Sequence, residues 1–183
     1  SSDLLTTAQN ELQKFSDRLD DAKAMREVLK DLPYQVKDID DEARADIEQA
    51  RKDYDALDEI TKNLVTAEYA GYLVEAEDTV AAADVYELYK KAPADYETAW
   101  SDLEEDTYLE SEEYTTIVKP LEEAYDALNA DQMTKLREAE SGVIGAIEAL
   151  LEWRPDPDYI LGDMNDDKKV DRKSTRLNSS HRN

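Results

Sequence analysis

The sequence predicts an all-α protein built as two degenerate three-helix bundle repeats in tandem, followed by a linker and a short Asp-rich loop. Three observations predict this. Apolar residues recur in alternating steps of three and four, the segments end at proline or at residues that cap a following helix, and the 183 residues include only four glycines and no cysteine.

The first element starts at Leu5. Leu5, Ala8, Leu12, Phe15, Leu19, Ala22 and Leu29 form one narrow packing seam, with Arg26 filling the single missed position. Met25, Val28 and Leu32 widen the stripe toward its end, and Pro33 stops it because proline disfavours helical geometry in the residue before it. A second stripe runs Ala43, Ile47, Ala50, Tyr54 and Leu57, and Asp58 interrupts it as an N-cap whose side chain accepts from an orphan amide of the next helix. The third stripe runs Leu64, Val65, Tyr69, Tyr72, Leu73, Ala76 and Val80, and on to Leu88. Three long helices with short turns predict an up-down-up bundle over residues 1–90.

The tetrapeptide Tyr54-Asp-Ala-Leu57 returns as Tyr125-Asp-Ala-Leu128, 71 residues on, and its flanks follow: Ile47 aligns with Val118, Asp58 with Asn129, and Val65 with Leu136. Gln132 stands three residues after Asn129, where it completes a capping box, whereas Thr61 in the first copy lacks the reciprocal bond. Ala76-Glu77 with Val80 matches Ala139-Glu140 with Val143 once about eight residues are deleted. Residues 91–152 therefore read as a shorter, more divergent repeat. Within it, residues 91–113 form an acidic connector with one short helix around Tyr96 to Leu103, and Gly142 and Gly145 weaken the last helix. The pattern of Tyr-Asp-Ala-Leu, a cap, and a helix with Leu-Val and Ala-Glu pairs resembles the three-helix repeats of large surface proteins of Gram-positive anaerobes. That resemblance implies a spacer or display role outside the cell.

Residues 153–160, with the Pro155-Asp-Pro157 run, read as a linker, and the stretch that follows has the spacing of a calcium loop. Counting from Asp163, oxygen ligands fall at Asp163, Asn165, Asp167, the carbonyl of Lys169 and Asp171, with Val170 at the hydrophobic eighth position. Calcium takes six to eight hard oxygens, which is why carboxylates and carbonyls alternate at such positions. Position twelve is Ser174 rather than a carboxylate, and position six is Lys168 rather than glycine. Leu161-Gly162 with residues 163–171 resembles the opening of a dockerin, the calcium-loaded module that plugs enzymes and surface proteins into cohesin scaffolds. The resemblance implies cohesin as partner and Ca2+ as cofactor for the intact module, both weak or absent in this form. The family has a second loop and helices that do not follow here, and the residues at loop positions ten and eleven, which help choose the cohesin, are Arg172 and Lys173.

Asp171-Arg-Lys-Ser-Thr-Arg-Leu-Asn-Ser-Ser-His181 is similar to a translated sequencing-library adapter. Residues 172–183 are therefore read as a non-native tail, with Asp171 at the junction. Without residues 171–183 the chain carries 18 basic and 45 acidic residues, a net charge of −27. Such a charge repels phosphate backbones and anionic headgroups, so neither nucleic acid nor membrane is expected as a partner. The single histidine, His181, lies in that tail. Without native His or Cys, zinc-type sites, thiol chemistry and an imidazole base are excluded, and no catalytic residue is assigned.

The remaining motifs favour structural roles. Eleven tyrosines and two tryptophans suggest a carbohydrate-stacking surface, but Tyr54, Tyr69, Tyr72 and Tyr125 sit on helix seams, where a ring is buried and its hydroxyl kept wet. Trp100 and Trp153 flank element boundaries and are expected to cover bundle ends. Acidic pairs such as Asp40-Asp41 and Glu104-Glu105 look like glycosidase carboxylates, but nothing marks the cleft that chemistry requires. The expectation is a non-catalytic helical segment of a secreted modular protein. The alternative is a helical module, like those of adhesins, that binds another surface or host protein.

Overall fold

A computed structural model of the chain describes residues 1–155. It is all-α, with no strand among the described residues. The helices are α1 (Ser2–Lys30), α2 (Asp41–Asp55), α3 (Glu59–Val65), α4 (Ala67–Lys90), α5 (Tyr96–Ala99), α6 (Lys119–Asp126), α7 (Ala130–Ala139) and α8 (Val143–Glu152). Tight turns at Val36–Asp38 and Glu105–Glu110 are 3-10 helical. Two compact units result. The first comprises Ser1–Tyr86 and Ala127–Ile144; the second comprises Glu87–Asp126 and the chain from Gly145.

In the first unit α1 packs on α2 and α3. Leu29, Ile47, Val65, Leu73, Ala76, Ala82 and Leu136 are buried in its core. The seam positions Ala22 and Leu29 are covered as expected, with Met25 beside them, whereas Leu19 and Val28 stay exposed. The helix stops two residues before Leu32-Pro33, and both the cap at Asp58 and the capping box at Asn129 form. Asp58 accepts from the Thr61 amide at 2.7 Å and from its hydroxyl at 2.6 Å, so Thr61 replaces the reciprocal bond with one of its own. Ion pairs tie the outer faces together. Arg51 grips Glu77 through two nitrogens at 2.6 and 2.8 Å, Arg44 pairs with Asp84, and Lys135 reaches both Glu75 at 2.6 Å and the Tyr34 carbonyl at 3.1 Å.

The third stripe differs from its expected form. One helix was expected through Leu64 to Leu88, but the chain breaks between α3 and α4 at Thr66, whose φ is 79°. The reason lies in α1. Arg26 donates from Nε to the Val65 carbonyl at 3.1 Å and from a terminal nitrogen to the Leu64 carbonyl, and its guanidinium lies 5.4 Å from the Tyr69 ring centroid. A side chain thus takes carbonyls that a continuous helix would use internally. The second copy breaks as well, at Gly142 with φ 78°, between α7 and α8. There glycine adopts the conformation without steric cost, and a helix expected only to be weakened is instead broken.

In the second unit, Trp100, Tyr108, Val118, Leu121, Ile147, Leu150 and Trp153 form the buried set. The connector holds the short helix expected of it, confined to Tyr96–Ala99, and adds the turn at Glu105–Glu110. A wide π-type turn at Tyr114–Val118 leads directly into α6. It ends two residues before Pro120, which has no amide hydrogen and whose ring crowds the carbonyl four residues back, at Thr116 within the turn, so a widened turn relieves the clash.

Candidate interaction surface

The expected calcium ligands Asp163, Asn165, Asp167, Lys169 and Asp171 lie outside the described residues, as do most of the linker and all of the tail. Among the described residues no group of three or more His, Cys, Asp or Glu side chains is arranged to hold a metal ion. Nor is any helix of the described residues long and apolar enough to cross a membrane.

The surface feature that stands out is the N-terminal half of α1. Every residue from Ser1 to Asp17 is exposed, including Leu4, Leu5, Ala8, Leu12 and Phe15, and Leu19 follows them. Leu12 is 70% exposed and Phe15 46%, although their spacing is that of buried seam residues. The sequence pattern identifies these positions as packing residues but not which of them have a neighbour. One signal was present. Between Thr6 and Leu19 the stripe is confined to the seam, and it widens with Met25 and Leu32, which are buried, although Val28 beside them is exposed. The polar side of this half is held by short-range bonds: the Thr6 and Thr7 hydroxyls donate to the Ser2 and Asp3 carbonyls, Gln13 to Asp17, and Lys14 to Glu11 at 3.2 Å.

The aromatic residues of the second unit turn inward instead, whereas in the first Tyr34 is exposed and so is Tyr72, whose ring was expected to be buried on a helix seam. Trp100 and Trp153 lie 6.0 Å apart and are buried, Tyr96 sits 5.8 Å from Trp100 and 5.9 Å from Trp153, and Tyr108 meets Trp153 edge-on at 5.6 Å. Edge-to-face pairs of this kind serve packing, so these rings are not available as a stacking platform. Tyr125 and Tyr86 follow the expected amphipathic pattern, their hydroxyls donating to Glu148 at 2.9 Å and Glu140 at 2.7 Å. Tyr108 differs. Its ring is 1% exposed, its hydroxyl finds no hydrogen-bond partner among the described residues, and burial pushes its pKa up to about 12.

Of the acidic pairs, Asp40-Asp41 has a local explanation. Asp40 caps α2 by accepting from the Ala43 amide at 2.8 Å, with Asp41 in the first turn. At Asp58, the Thr61 hydroxyl, the Thr61 amide and the Arg18 guanidinium together hold the carboxyl down at about 2. No family model matches the chain, and no curated protein or solved structure matches it either.

Proposed function

We propose that the chain is a non-catalytic spacer or display segment of a secreted modular protein, leading into a dockerin that, when intact, binds cohesin with calcium. The observation that supports the spacer role most directly is that the described residues form two compact helical units. The first unit has an aliphatic core and the second an aliphatic and aromatic one, while carboxylates such as Asp40, Asp84, Glu77 and Glu75 take up caps and ion pairs on helix surfaces.

The dockerin reading is carried by the ligand spacing from Asp163 to Asp171. The donor set is chemically suited to Ca2+ as far as the ninth loop position: carboxylate, amide and carbonyl oxygens, with no sulfur or imidazole. An extracellular location and a cohesin partner belong to that reading.

The test is to recover the coding sequence beyond Val170 and express the continuous protein. Titration into cohesin modules with Ca2+ or with a chelator should show binding that calcium switches on. A frame with no acidic residue at the twelfth loop position, or a complete loop that binds no cohesin, would overturn the dockerin reading. A second reading, a helical module that binds another protein, is favoured by the exposed α1 seam.

A further inference from the structure

We infer that the N-terminal half of α1 is a self-association surface, on which a second copy of this chain lays its own α1 antiparallel to the first. Periodicity, shape and charge each support the inference.

Between Thr6 and Leu19 the apolar residues are confined to Ala8, Leu12, Phe15 and Leu19, which with Leu5 alternate in steps of three and four. A stripe this narrow is the seam of a two-stranded coiled coil and too narrow to fill the centre of a bundle. Where α1 does enter a bundle, its stripe is broader. A helical stretch of some 17 residues without tertiary contacts is only marginally stable in water, so a partner along this seam contributes to the helix itself.

The seam is also complementary in size to its own reverse. With the two helices antiparallel, Leu5 faces the partner's Phe15 and Ala8 faces the partner's Leu12, so that a small residue meets a large one in the central layers. A parallel pair would set Phe15 against the partner's Phe15 and leave Ala8 opposite the partner's Ala8, a crowded layer next to a gap.

Charge decides orientation. Residues 1–19 carry Asp3, Glu11 and Asp17 against Lys14 and Arg18, a net charge of −1, while the whole chain carries −24. Two copies can therefore approach along the seam with little repulsion. An antiparallel pair places the acidic bodies at opposite ends of a helix stretch about 25 Å long, well beyond a Debye length of ~8 Å at physiological salt. The one close like-charge meeting is Glu11 with the partner's Glu11, and in each copy Lys14 already lies 3.2 Å from that carboxylate. The area covered is on the order of 1,000 Å2 in total, the low end for a specific interface, so the dimer is weak and concentration-dependent.

Sedimentation equilibrium on the full chain, from low micromolar to several hundred micromolar, should show the average mass rise from 20.9 kDa toward about twofold. Added salt should strengthen the association by screening the acidic bodies. Leu12→Asp, at an exposed position, should hold the mass at the monomer value throughout while the thermal unfolding of the bundle persists. Since the chain has no cysteine, Glu11→Cys reports orientation. Oxidation should crosslink it to the partner's equivalent, and Leu5→Cys should not crosslink. A monomer at every concentration, or a dimer that Leu12→Asp leaves intact, overturns the proposal. Crosslinking through position 5 instead of position 11 overturns the antiparallel arrangement.

Discussion

The Arg26 guanidinium donates to the backbone carbonyl of Val65 at 3.1 Å, across 39 residues of sequence, at the last residue of α3. By sequence, Arg26 is the gap in the α1 seam. In the structure it holds the end of another helix.

Replacing Arg26 with Leu would complete the apolar seam, and on periodicity alone it would stabilise the protein. The expected outcome is the reverse. The carbonyls of Leu64 and Val65 would lose a charged donor beside a fully buried residue, at a cost of about 2 kcal/mol. Urea unfolding of the variant should show a lower midpoint with an unchanged slope; a higher midpoint would refute the role assigned to Arg26.

Thr66 has φ 79° and ψ 154°, a region that only glycine enters readily, and a β-branched side chain is poorly suited to it. Thr66→Gly should therefore stabilise the first unit by about 1 kcal/mol, even after the larger conformational entropy of glycine in the unfolded chain is counted. The checking measurement is the melting temperature, which should rise, whereas glycine at an ordinary exposed helix position lowers it.

Tyr108 buries a hydroxyl without a partner, so Tyr108→Phe should be neutral or stabilising by up to about 1 kcal/mol. The phenol is held neutral by burial, with its pKa near 12 against an ordinary value of 10.0. The neutral form is favoured in the folded state, so the associated stability is intact below pH 10 and is lost as pH rises from there toward 12. Absorbance titration should show one late-ionising tyrosine, missing in Tyr108→Phe. If the late component survives that substitution, it belongs to another tyrosine.

Asp58 titrates at about 2, against an ordinary value of 3.8. A lowered carboxyl pKa means stability that is complete above pH 4 and lost as pH falls through the interval to 2. Asp58→Asn keeps a capping oxygen but removes the charge facing Arg18, so its stability should fall less steeply over that interval. Carbon-detected NMR of the Asp58 carboxyl supplies the midpoint directly. A midpoint close to 4 would mean that the Thr61 and Arg18 bonds do not persist in solution.

Much of the local structure was legible because its causes are local. Pro33, Asp58 and the Asn129/Gln132 box act through residues within one turn, so composition and spacing place them. Gly142 marked a weak place in the last helix, and the structure turns that weakness into a break. The break at Thr66 carried no such mark, because the group responsible, Arg26, lies far away in sequence. The calcium-loop residues, from Asp163 to Asp171, are a reading of spacing, and the described residues do not reach them.

Residue order alone established the helical class, the cap positions and the absence of thiol chemistry from a chain with no cysteine. These follow from backbone preferences and side-chain chemistry within a few residues. Tertiary structure decided which part of a uniform seam is covered. Leu12 and Leu29 occupy equivalent places in one periodic pattern, yet one is 70% exposed and the other 0%. Periodicity records that a helix face is fit for burial, and burial itself requires a second surface brought to it by the rest of the chain or by another molecule.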